Sequence, residues 1–212
     1  MIGSLVIDLD GPLLSIRTRH YSCYAQILAE RGLEPLPIRR YWALRRAAMP
    51  LSEILAATGA DAIGSTFPSL WRERIEDVSF LGRDRLQPGV RHALATWHAQ
   101  GHSIVVATMR QRADLAMEQL TSLGIGRFCL GLAVSDYRRG AIGKVEAVRS
   151  VTPGLQVKNT VWIGDTEVDI EAARYFGCPA WVVTCGIRDR SHLEAARPDV
   201  IAAGLAGLRL AG

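Results

Sequence analysis

The chain has few cysteines, and they are not grouped. Its four cysteines form no CxxC pair and no cluster with histidine, which argues against a zinc site and against a disulfide framework. No apolar run approaches the roughly 20 residues that a membrane-spanning helix needs. The first apolar segment is interrupted at Asp8, too early for a secretory signal peptide. We therefore expect a cytoplasmic protein without a membrane partner.

Neither sign of charge dominates the composition. The 212 residues carry a formal net charge of +4, with 49% hydrophobic and 22% charged residues, which is the balance of a globular protein. That length is enough for one domain that carries a sizeable insertion. A weak positive charge favours anionic ligands such as phosphate esters, although a solvated surface rich in arginine explains it equally well.

Apolar segments alternate with helical patterns and predict an α/β fold. Five segments have the composition of buried strands: residues 4–8, 103–108, 129–135, 160–165 and 180–184. After Pro88, these segments alternate with amphipathic helical patterns, as in a doubly wound, Rossmann-like parallel sheet with helices on both faces. Right-handed crossovers would place the functional site at the carboxyl ends of the strands.

A helical insertion (residues 15–82) separates the first predicted strand from the others. It is rich in arginine and contains no convincing strand. Gly32 and several prolines divide it into four predicted helices, at residues 20–31, 38–48, 51–58 and 68–78. We therefore expect an α/β core domain of residues 1–14 and 83–212, with a small α-helical cap domain of residues 15–82.

Polar side chains lie at or just beyond four of the predicted strand ends. They are Asp8, Asp10, Thr108, Lys144, Asp165 and Asp169. Because parallel strands end at the same edge of a sheet, these side chains can converge. Phosphoryl transfer needs a nucleophile, a proton donor for the leaving oxygen and neutralisation of the phosphate charge. Asp8 and Asp10 can supply the first two, and Lys144 and Thr108 can hold phosphoryl oxygens.

Each of these residues also has an ordinary explanation when it is taken alone. Thr108 can cap the helix that follows it, and Asp165 can be an acid that a helix dipole favours. A single DxDG sequence is weak, and a single Lys144 is most often solvated. Neighbouring carboxylates repel each other, however, which favours a bound cation or a raised pKa on one of them, and oxygen ligands favour Mg²⁺. The occurrence of all these residues in this order carries the prediction.

Three of these segments resemble motifs of the haloacid dehalogenase-like superfamily. VIDLDG resembles the first motif, which implies that Asp8 is the nucleophile and Asp10 the general acid and base. SIVVATM resembles the second, with Thr108 as the hydroxyl residue. GKVEAV resembles the third, with Lys144 as the lysine that balances the phosphate charge.

The fourth motif is the most specific part of the resemblance. In WIGDTEVDIEAA, the glycine, Asp165, Asp169 and the two alanines match together. The resemblance implies that Mg²⁺ is held by Asp8, the backbone carbonyl of Asp10 and Asp165. Asp169 would support it through water or through Lys144.

The helical insertion lies where the phosphoglycolate phosphatase-like branch has its cap, and MPLSEIL resembles part of that cap. Three residues depart from the family pattern: Pro12 stands where Thr is usual, Ser15 where an acid is frequent, and Met109 where Asn is frequent. These departures bear on the substrate more than on the chemistry. The acid at Asp10 disfavours both a dehalogenase and a phosphonate hydrolase.

The resemblance implies a magnesium-dependent phosphatase that hydrolyses a small phosphate monoester through an aspartyl-phosphate. We expect a monomer or homodimer whose partner is a small molecule rather than a nucleic acid. Three alternatives stay open. A phosphomutase of the same superfamily would use the same residues, a phospho-receiver module also groups acids, Thr and Lys, and a nucleic-acid-binding protein could use the arginines.

Four arginines lie in one predicted helix of the insertion, IRRYWALRRAAM. Arg39 and Arg46 are seven residues apart and share a helix face, whereas Arg45 lies about 100° from Arg46. The four arginines therefore cannot all face a cleft. We predict that at least one of Arg45 and Arg46 binds a second polar or anionic group of the substrate.

Overall fold

The computed structural model describes residues 2–210. Within them the chain forms eight strands: β1 (Ser4–Asp8), β2 (Leu14–Ser15), β3 (Arg85–Leu86), β4 (Ser103–Thr108), β5 (Gly131–Val134), β6 (Thr160–Gly164), β7 (Ala180–Val183) and β8 (Val200–Ala202). Six of them form one parallel sheet in the spatial order β5-β4-β1-β6-β7-β8. The strand β1 lies between β4 and β6, where the order of strands reverses. In open α/β sheets, ligands bind at this position, beyond the carboxyl ends of the strands.

The apolar run of β1 accounts for its central position. Leu5, Val6 and Ile7 are all fully buried. Leu5 and Ile7 pack in one apolar cluster, and Val6 packs in another with Trp162. Successive side chains of a strand point to opposite faces, so this strand needs cover on both sides.

Ten α-helices accompany the strands within the described part of the chain. They are α1 (Arg17–Ala29), α2 (Ile38–Arg46), α3 (Leu51–Ala56), α4 (Phe67–Arg74), α5 (Val78–Leu81), α6 (Val90–Ala99), α7 (Ala113–Ser122), α8 (Gly140–Val151), α9 (Glu167–Phe176) and α10 (Arg190–Ala195). Apolar side chains of α6 and α7 join the cluster of Leu5, and those of α8 and α9 join the cluster of Val6. Helices therefore cover both faces of the sheet, and the predicted α/β fold is confirmed.

The helical insertion begins and ends at a small antiparallel pair of strands. In it, β2 pairs with β3, with Leu14 opposite Leu86 and Ser15 opposite Arg85. Between these strands the chain forms α1 to α5 and no strand of the large sheet. Aromatic side chains pack inside the insertion, and the rings of Tyr24 and Tyr41 stack with centroids 4.4 Å apart. The division into core and cap domains at residues 14/15 and 82/83 stays a prediction; β2 lies at the first of these positions, and β3 follows the second.

No helix within residues 2–210 combines the length and the apolar character that are needed to cross a membrane.

Candidate active site

The carboxylate of Asp8, at the end of β1, contacts a buried lysine. Lys144, in α8, is 1% exposed. Its Nζ donates hydrogen bonds to Oδ1 of Asp8 at 2.6 Å and to Oδ1 of Asp169 at 2.7 Å. Burial alone would lower the pKa of Lys144, but the charges of Asp169 and Asp8 outweigh it and raise that pKa above its ordinary value. The site therefore contains a fixed positive charge directly beside Asp8.

Three buried acids meet at the carboxyl end of the sheet. Asp8, Asp165 and Asp169 each offer one carboxylate oxygen, and these oxygens lie within 4.8 Å of one another. Burial raises the pKa of Asp8 to about 7. Burial, together with repulsion from Asp8, raises the pKa of Asp165 well above its ordinary value. Burial thus disfavours the charged forms of Asp8 and Asp165, and a metal cation bound beside them would favour both as carboxylates.

Asp165 has an oxygen that the protein does not satisfy. The residue is fully buried, and its Oδ2 accepts a hydrogen bond of 2.5 Å from the backbone N–H of Ile187. Its Oδ1 is buried and has no hydrogen-bond partner within the described residues. An unpaired buried carboxylate oxygen is costly. An oxygen-only set of ligands with one unsatisfied member fits a hard divalent cation such as Mg²⁺.

Both carboxylate oxygens of Asp169 accept hydrogen bonds from the protein, unlike those of Asp165. Its Oδ2 accepts hydrogen bonds from the hydroxyl of Thr166 at 2.8 Å and from the backbone N–H of the same residue at 3.2 Å, and so closes the first turn of α9. Its Oδ1 accepts from Lys144 and, at 3.4 Å, from Nε1 of Trp162. Asp169 therefore positions Lys144 and caps the first turn of α9, whereas Asp165 has one oxygen without a partner in the described part of the chain.

Two glycines shape the space around Asp165. An ideal Cβ at Gly11 or at Gly186 would overlap the Asp165 carboxylate. Gly11 also has φ of +122°, which disfavours other residues at that position. The absence of a side chain at both positions lets the two loops close around this acid.

Asp10 points into a network of buried charges rather than toward the acid cluster. Its Oδ1 lies 2.5 Å from Nη2 of Arg110 and 2.7 Å from Nη2 of Arg19. Both arginines also pair with Asp84, at 3.2 Å and 3.1 Å. Burial acts to raise the pKa of Asp10, but the charges of Arg110 and Arg19 outweigh it and hold that pKa well below its ordinary range. Burial raises the pKa of Asp84 to about 6.

The sequence interpretation missed this network. Arg19, Asp84 and Arg110 come from α1, from the turn before β3 and from the loop after β4. One weak signal was available, because Arg110 follows Thr108 by two residues. In a chain with many arginines, that signal does not distinguish a buried guanidinium from a solvated one.

The four residues predicted to be catalytic line one cavity of about 350 Å³. They are Asp8, Asp10, Thr108 and Lys144. Thr108 is 2% exposed at the end of β4, and its hydroxyl accepts a hydrogen bond from the backbone N–H of Arg110 at 3.3 Å. The structure thus places an acid, a hydroxyl and an ammonium around one space at the strand ends.

His20 of α1 also lines this cavity, and the sequence interpretation did not include it. Its ring is buried and lies edge-on to Trp71, with centroids 5.2 Å apart. Burial, assisted by the charge of Arg19, lowers the pKa of His20 well below its ordinary value. The uncharged imidazole is therefore the favoured form of His20 at the wall of the cavity.

The two arginines named as candidate substrate contacts, Arg45 and Arg46, have different surroundings in the structure. Arg46 donates hydrogen bonds to the carbonyls of Gly186 at 2.6 Å and Thr184 at 2.9 Å, so it attaches α2 to the loop after β7. Arg45 lines the cavity instead, and its buried Nε has no hydrogen-bond partner within residues 2–210. Only Arg45 is in a position to meet a ligand in that cavity.

Comparisons with known proteins identify the family of this chain. The model of the haloacid dehalogenase-like hydrolase family matches residues 2–177. The chain is 26% identical over 225 residues to a phosphoglycolate phosphatase of Agrobacterium fabrum, covering 96% of this chain and 89% of that protein. It is 23% identical over 198 residues to a phosphoglycolate phosphatase of Rhodobacter capsulatus, covering 92% and 90%.

A solved structure of another protein has the same fold as this chain. A haloacid dehalogenase-like family hydrolase from Streptococcus pneumoniae superposes with a TM-score of 0.75 at 22% identity, covering 97% of this chain and 95% of that one. The predicted family is confirmed. The chain therefore belongs to the haloacid dehalogenase-like hydrolases, in the phosphoglycolate phosphatase-like branch, and is an enzyme of the phosphatase type.

Proposed function

We propose that this enzyme hydrolyses a small phosphate monoester with Mg²⁺, through a phosphorylated Asp8. The observation that carries the proposal is the meeting of Asp8 with the buried ammonium of Lys144, at 2.6 Å, in a cavity that Thr108 also lines. A carboxylate attacks phosphorus well only when the charge of the phosphoryl group is neutralised, and Lys144 supplies a fixed positive charge there.

The reaction has two steps in this proposal. In the first, a carboxylate oxygen of Asp8 bonds to phosphorus, the bond from phosphorus to the ester oxygen breaks, and Asp10 gives a proton to the leaving alcohol. In the second, Asp10 takes a proton from a water molecule that attacks the phosphorus, which releases phosphate and restores Asp8. Lys144 and the hydroxyl of Thr108 hold phosphoryl oxygens in both steps.

The ion pairs that Asp10 forms in this structure are suited to the second step. Paired with Arg19 and Arg110, Asp10 is a carboxylate, which is the form that a general base requires. In the first step it must carry a proton, so these ion pairs must weaken while the ester is bound. Arg19 belongs to α1 of the helical insertion, so a shift of α1 relative to the sheet would change this pairing.

Mg²⁺ would be held by Asp8, Asp165 and the backbone carbonyl of Asp10, with Asp169 in support. When bound, it would neutralise the acid cluster and part of the phosphoryl charge. The partnerless Oδ1 of Asp165 supports this assignment.

Replacing Gly186 by alanine tests the metal site without changing a ligand. The new methyl group would overlap Asp165, and φ of Gly186 lies outside the left-handed region, so displacement of Asp165 is the main expected effect. We expect the half-saturating Mg²⁺ concentration for activity to rise about 10- to 100-fold. The matched control is Gly154→Ala, because an added Cβ at this exposed glycine meets no atom within 4 Å. Equal Mg²⁺ dependence in the two variants would contradict the assignment.

The substrate class is tested by measuring phosphate release from a panel of phosphate monoesters in the presence of Mg²⁺. The curated relatives named above are phosphoglycolate phosphatases, so 2-phosphoglycolate belongs in the panel. A phosphomutase remains the alternative. Phosphate release that needs no sugar bisphosphate activator supports the phosphatase, and transfer only in the presence of that activator supports the mutase.

Arg45→Ala is expected to raise KM for the best substrate of the panel by about 10- to 100-fold, the range for loss of a hydrogen bond to a charged group. The reason is that its guanidinium lines the cavity and has a buried, partnerless Nε. Hydrolysis of 4-nitrophenyl phosphate, which has no second anionic group, should change little. Arg46→Ala is the matched comparison, because Arg46 binds the Thr184 and Gly186 carbonyls. A rise in KM for Arg46→Ala alone would reverse the assignment.

A further inference from the structure

A second cavity, of about 330 Å³, adjoins the active-site cavity on the side of the helical insertion. The two cavities share six lining residues: Arg45, Trp71, Ile75, Glu76, Met109 and Tyr137. The second cavity, which we call the side chamber, is therefore continuous with the space around Asp8. Its volume falls within the range of about 300–1,000 Å³ that is typical of ligand pockets.

The inner wall of the side chamber is apolar and largely aromatic. It includes Tyr41 and Phe67, which are 2% and 1% exposed, together with Leu51. Phe67 stacks on Trp71 with ring centroids 5.9 Å apart. Because these side chains are packed among others of the insertion, the wall is preformed rather than assembled by a ligand.

The acid in the side chamber is already satisfied by the protein. The carboxylate of Glu76 accepts hydrogen bonds from the backbone N–H groups of Gln111 at 2.7 Å and Arg112 at 2.9 Å. Gln111 also donates to the carbonyl of Arg72 at 2.9 Å. These bonds attach the end of α4 to the loop after β4 and close one side of the side chamber. Glu76 is thus part of its wall, and the rest of the lining combines the apolar surface with the side chains of Arg45, Arg72 and Gln111.

Met109 lies where the two cavities join, directly after Thr108. It is one of the residues that depart from the family pattern, in which Asn is frequent at this position. A thioether at the junction continues the apolar surface from the side chamber toward the phosphoryl site, and methionine adapts its shape to an apolar ligand. A two-carbon leaving group such as glycolate is too short to cover this surface.

We propose that the preferred substrate is a phosphate monoester whose alcohol carries an aromatic or branched aliphatic group, and that this group occupies the side chamber. The proposal rests on the phosphatase activity proposed above and names the leaving group of that same reaction. Arg45, at the junction, would meet a polar or anionic substituent of the same alcohol.

The test compares two esters that differ only in one apolar group. They are 2-phosphoglycolate and the phosphate ester of 3-phenyllactate, in which a benzyl group replaces one hydrogen on the carbon that bears the phosphate. We expect kcat/KM with Mg²⁺ to be at least about 10-fold higher for the phenyllactate ester, since even one methylene in an apolar pocket is worth about 10-fold or more. A ratio of one or less overturns the inference and leaves the phosphatase proposal standing.

Substitutions at Met109 test whether the ratio of the two kcat/KM values depends on the side chamber. Met109→Asn is expected to lower the ratio at least about 3-fold, and Met109→Leu should keep it, because leucine preserves the apolar surface. Met117→Asn is a matched control, since Met117 is 45% exposed on α7 and lines neither cavity. Equal ratios in Met109→Asn and Met117→Asn would overturn the assignment of Met109.

A binding measurement separates failure of the inference from failure of the proposed function. Methylphosphonate and 2-phenylethylphosphonate are not hydrolysed, and calorimetric titration of the unmodified enzyme with Mg²⁺ gives their affinities without turnover. We expect the phenylethyl compound to bind at least about 10-fold more tightly. Equal affinity overturns the side-chamber proposal even if no phosphate ester is hydrolysed. A clear preference supports it independently of the reaction.

Discussion

Asp8→Asn should abolish turnover, with kcat lowered by at least about 10⁴-fold, while the fold stays intact. The amide has the shape of the carboxylate but is not a nucleophile for phosphorus, and loss of a covalent nucleophile has effects of this size. Lys144 keeps its hydrogen bond to Asp169 in this variant, so it does not become an unpaired buried charge. Steady-state phosphate release over the substrate panel gives the measurement.

The control for Asp8→Asn is Asp61→Asn, at an exposed acid of the helical insertion. Thermal unfolding and circular dichroism should show that both variants are folded. Because burial raises the pKa of Asp8 to about 7 even beside Lys144, removal of this charge should not lower the melting temperature. Substantial activity in folded Asp8→Asn would refute the covalent mechanism.

The second large effect is expected when divalent cations are removed. Exhaustive treatment with EDTA should lower activity by at least about 100-fold, and added Mg²⁺ should restore it. The reason is that Asp8, Asp165 and Asp169 meet within 4.8 Å, and burial disfavours the charged forms of Asp8 and Asp165, which a bound metal cation would favour. Full activity of the enzyme after treatment with EDTA would contradict the proposed role of Mg²⁺.

Asp165 and Asp169, the other two acids of this cluster, are expected to contribute unequally to Mg²⁺ binding. Asp165→Ala should weaken Mg²⁺ binding more than Asp169→Ala, because Asp165 has a partnerless oxygen whereas both oxygens of Asp169 accept hydrogen bonds from the protein. Calorimetric titration with Mg²⁺ compares them directly. Equal effects, or the reverse order, would show that the two roles are assigned wrongly.

The sheet could be predicted from the sequence because its central strands are continuous apolar runs. The first two predicted strands, 4–8 and 103–108, have the bounds that the structure gives to β1 and β4. In contrast, β8 was missed, since Val200–Ala202 has only three residues at the edge of the sheet and is partly exposed. A short edge strand carries little hydrophobic pattern. The pair of β2 and β3 was also missed, because it depends on contacts between residues about 70 positions apart.

Most of the candidate site could be predicted because a parallel sheet brings strand ends together. That rule placed Asp8, Thr108 and Asp165 at one edge without knowledge of any contact. The rule makes no prediction for Arg19, because this residue lies on the helical insertion and contacts Asp10 only through tertiary packing. Which charged side chains pair when they are far apart in the sequence depends on the tertiary structure.

The arginines of α2 show the limit of helical spacing. The spacing predicted that Arg45 and Arg46 point in different directions, but not which of them faces the cavity. That choice depends on the loop after β7, whose carbonyls at Thr184 and Gly186 bind Arg46. The orientation of a helix against a distant loop is a tertiary property that its periodicity does not contain.

Direct detection of a phosphoryl group on Asp8 tests the central proposal most sharply. In Asp10→Asn, hydrolysis of the intermediate should slow because the general base is lost, whereas 4-nitrophenyl phosphate can still react since its leaving group needs no proton. Rapid quenching of this variant with 4-nitrophenyl phosphate and Mg²⁺, followed by peptide mass spectrometry, should find one added phosphoryl group on Asp8. A phosphoryl group on another residue, or none on the Asp8 peptide while 4-nitrophenol is released, would contradict the mechanism.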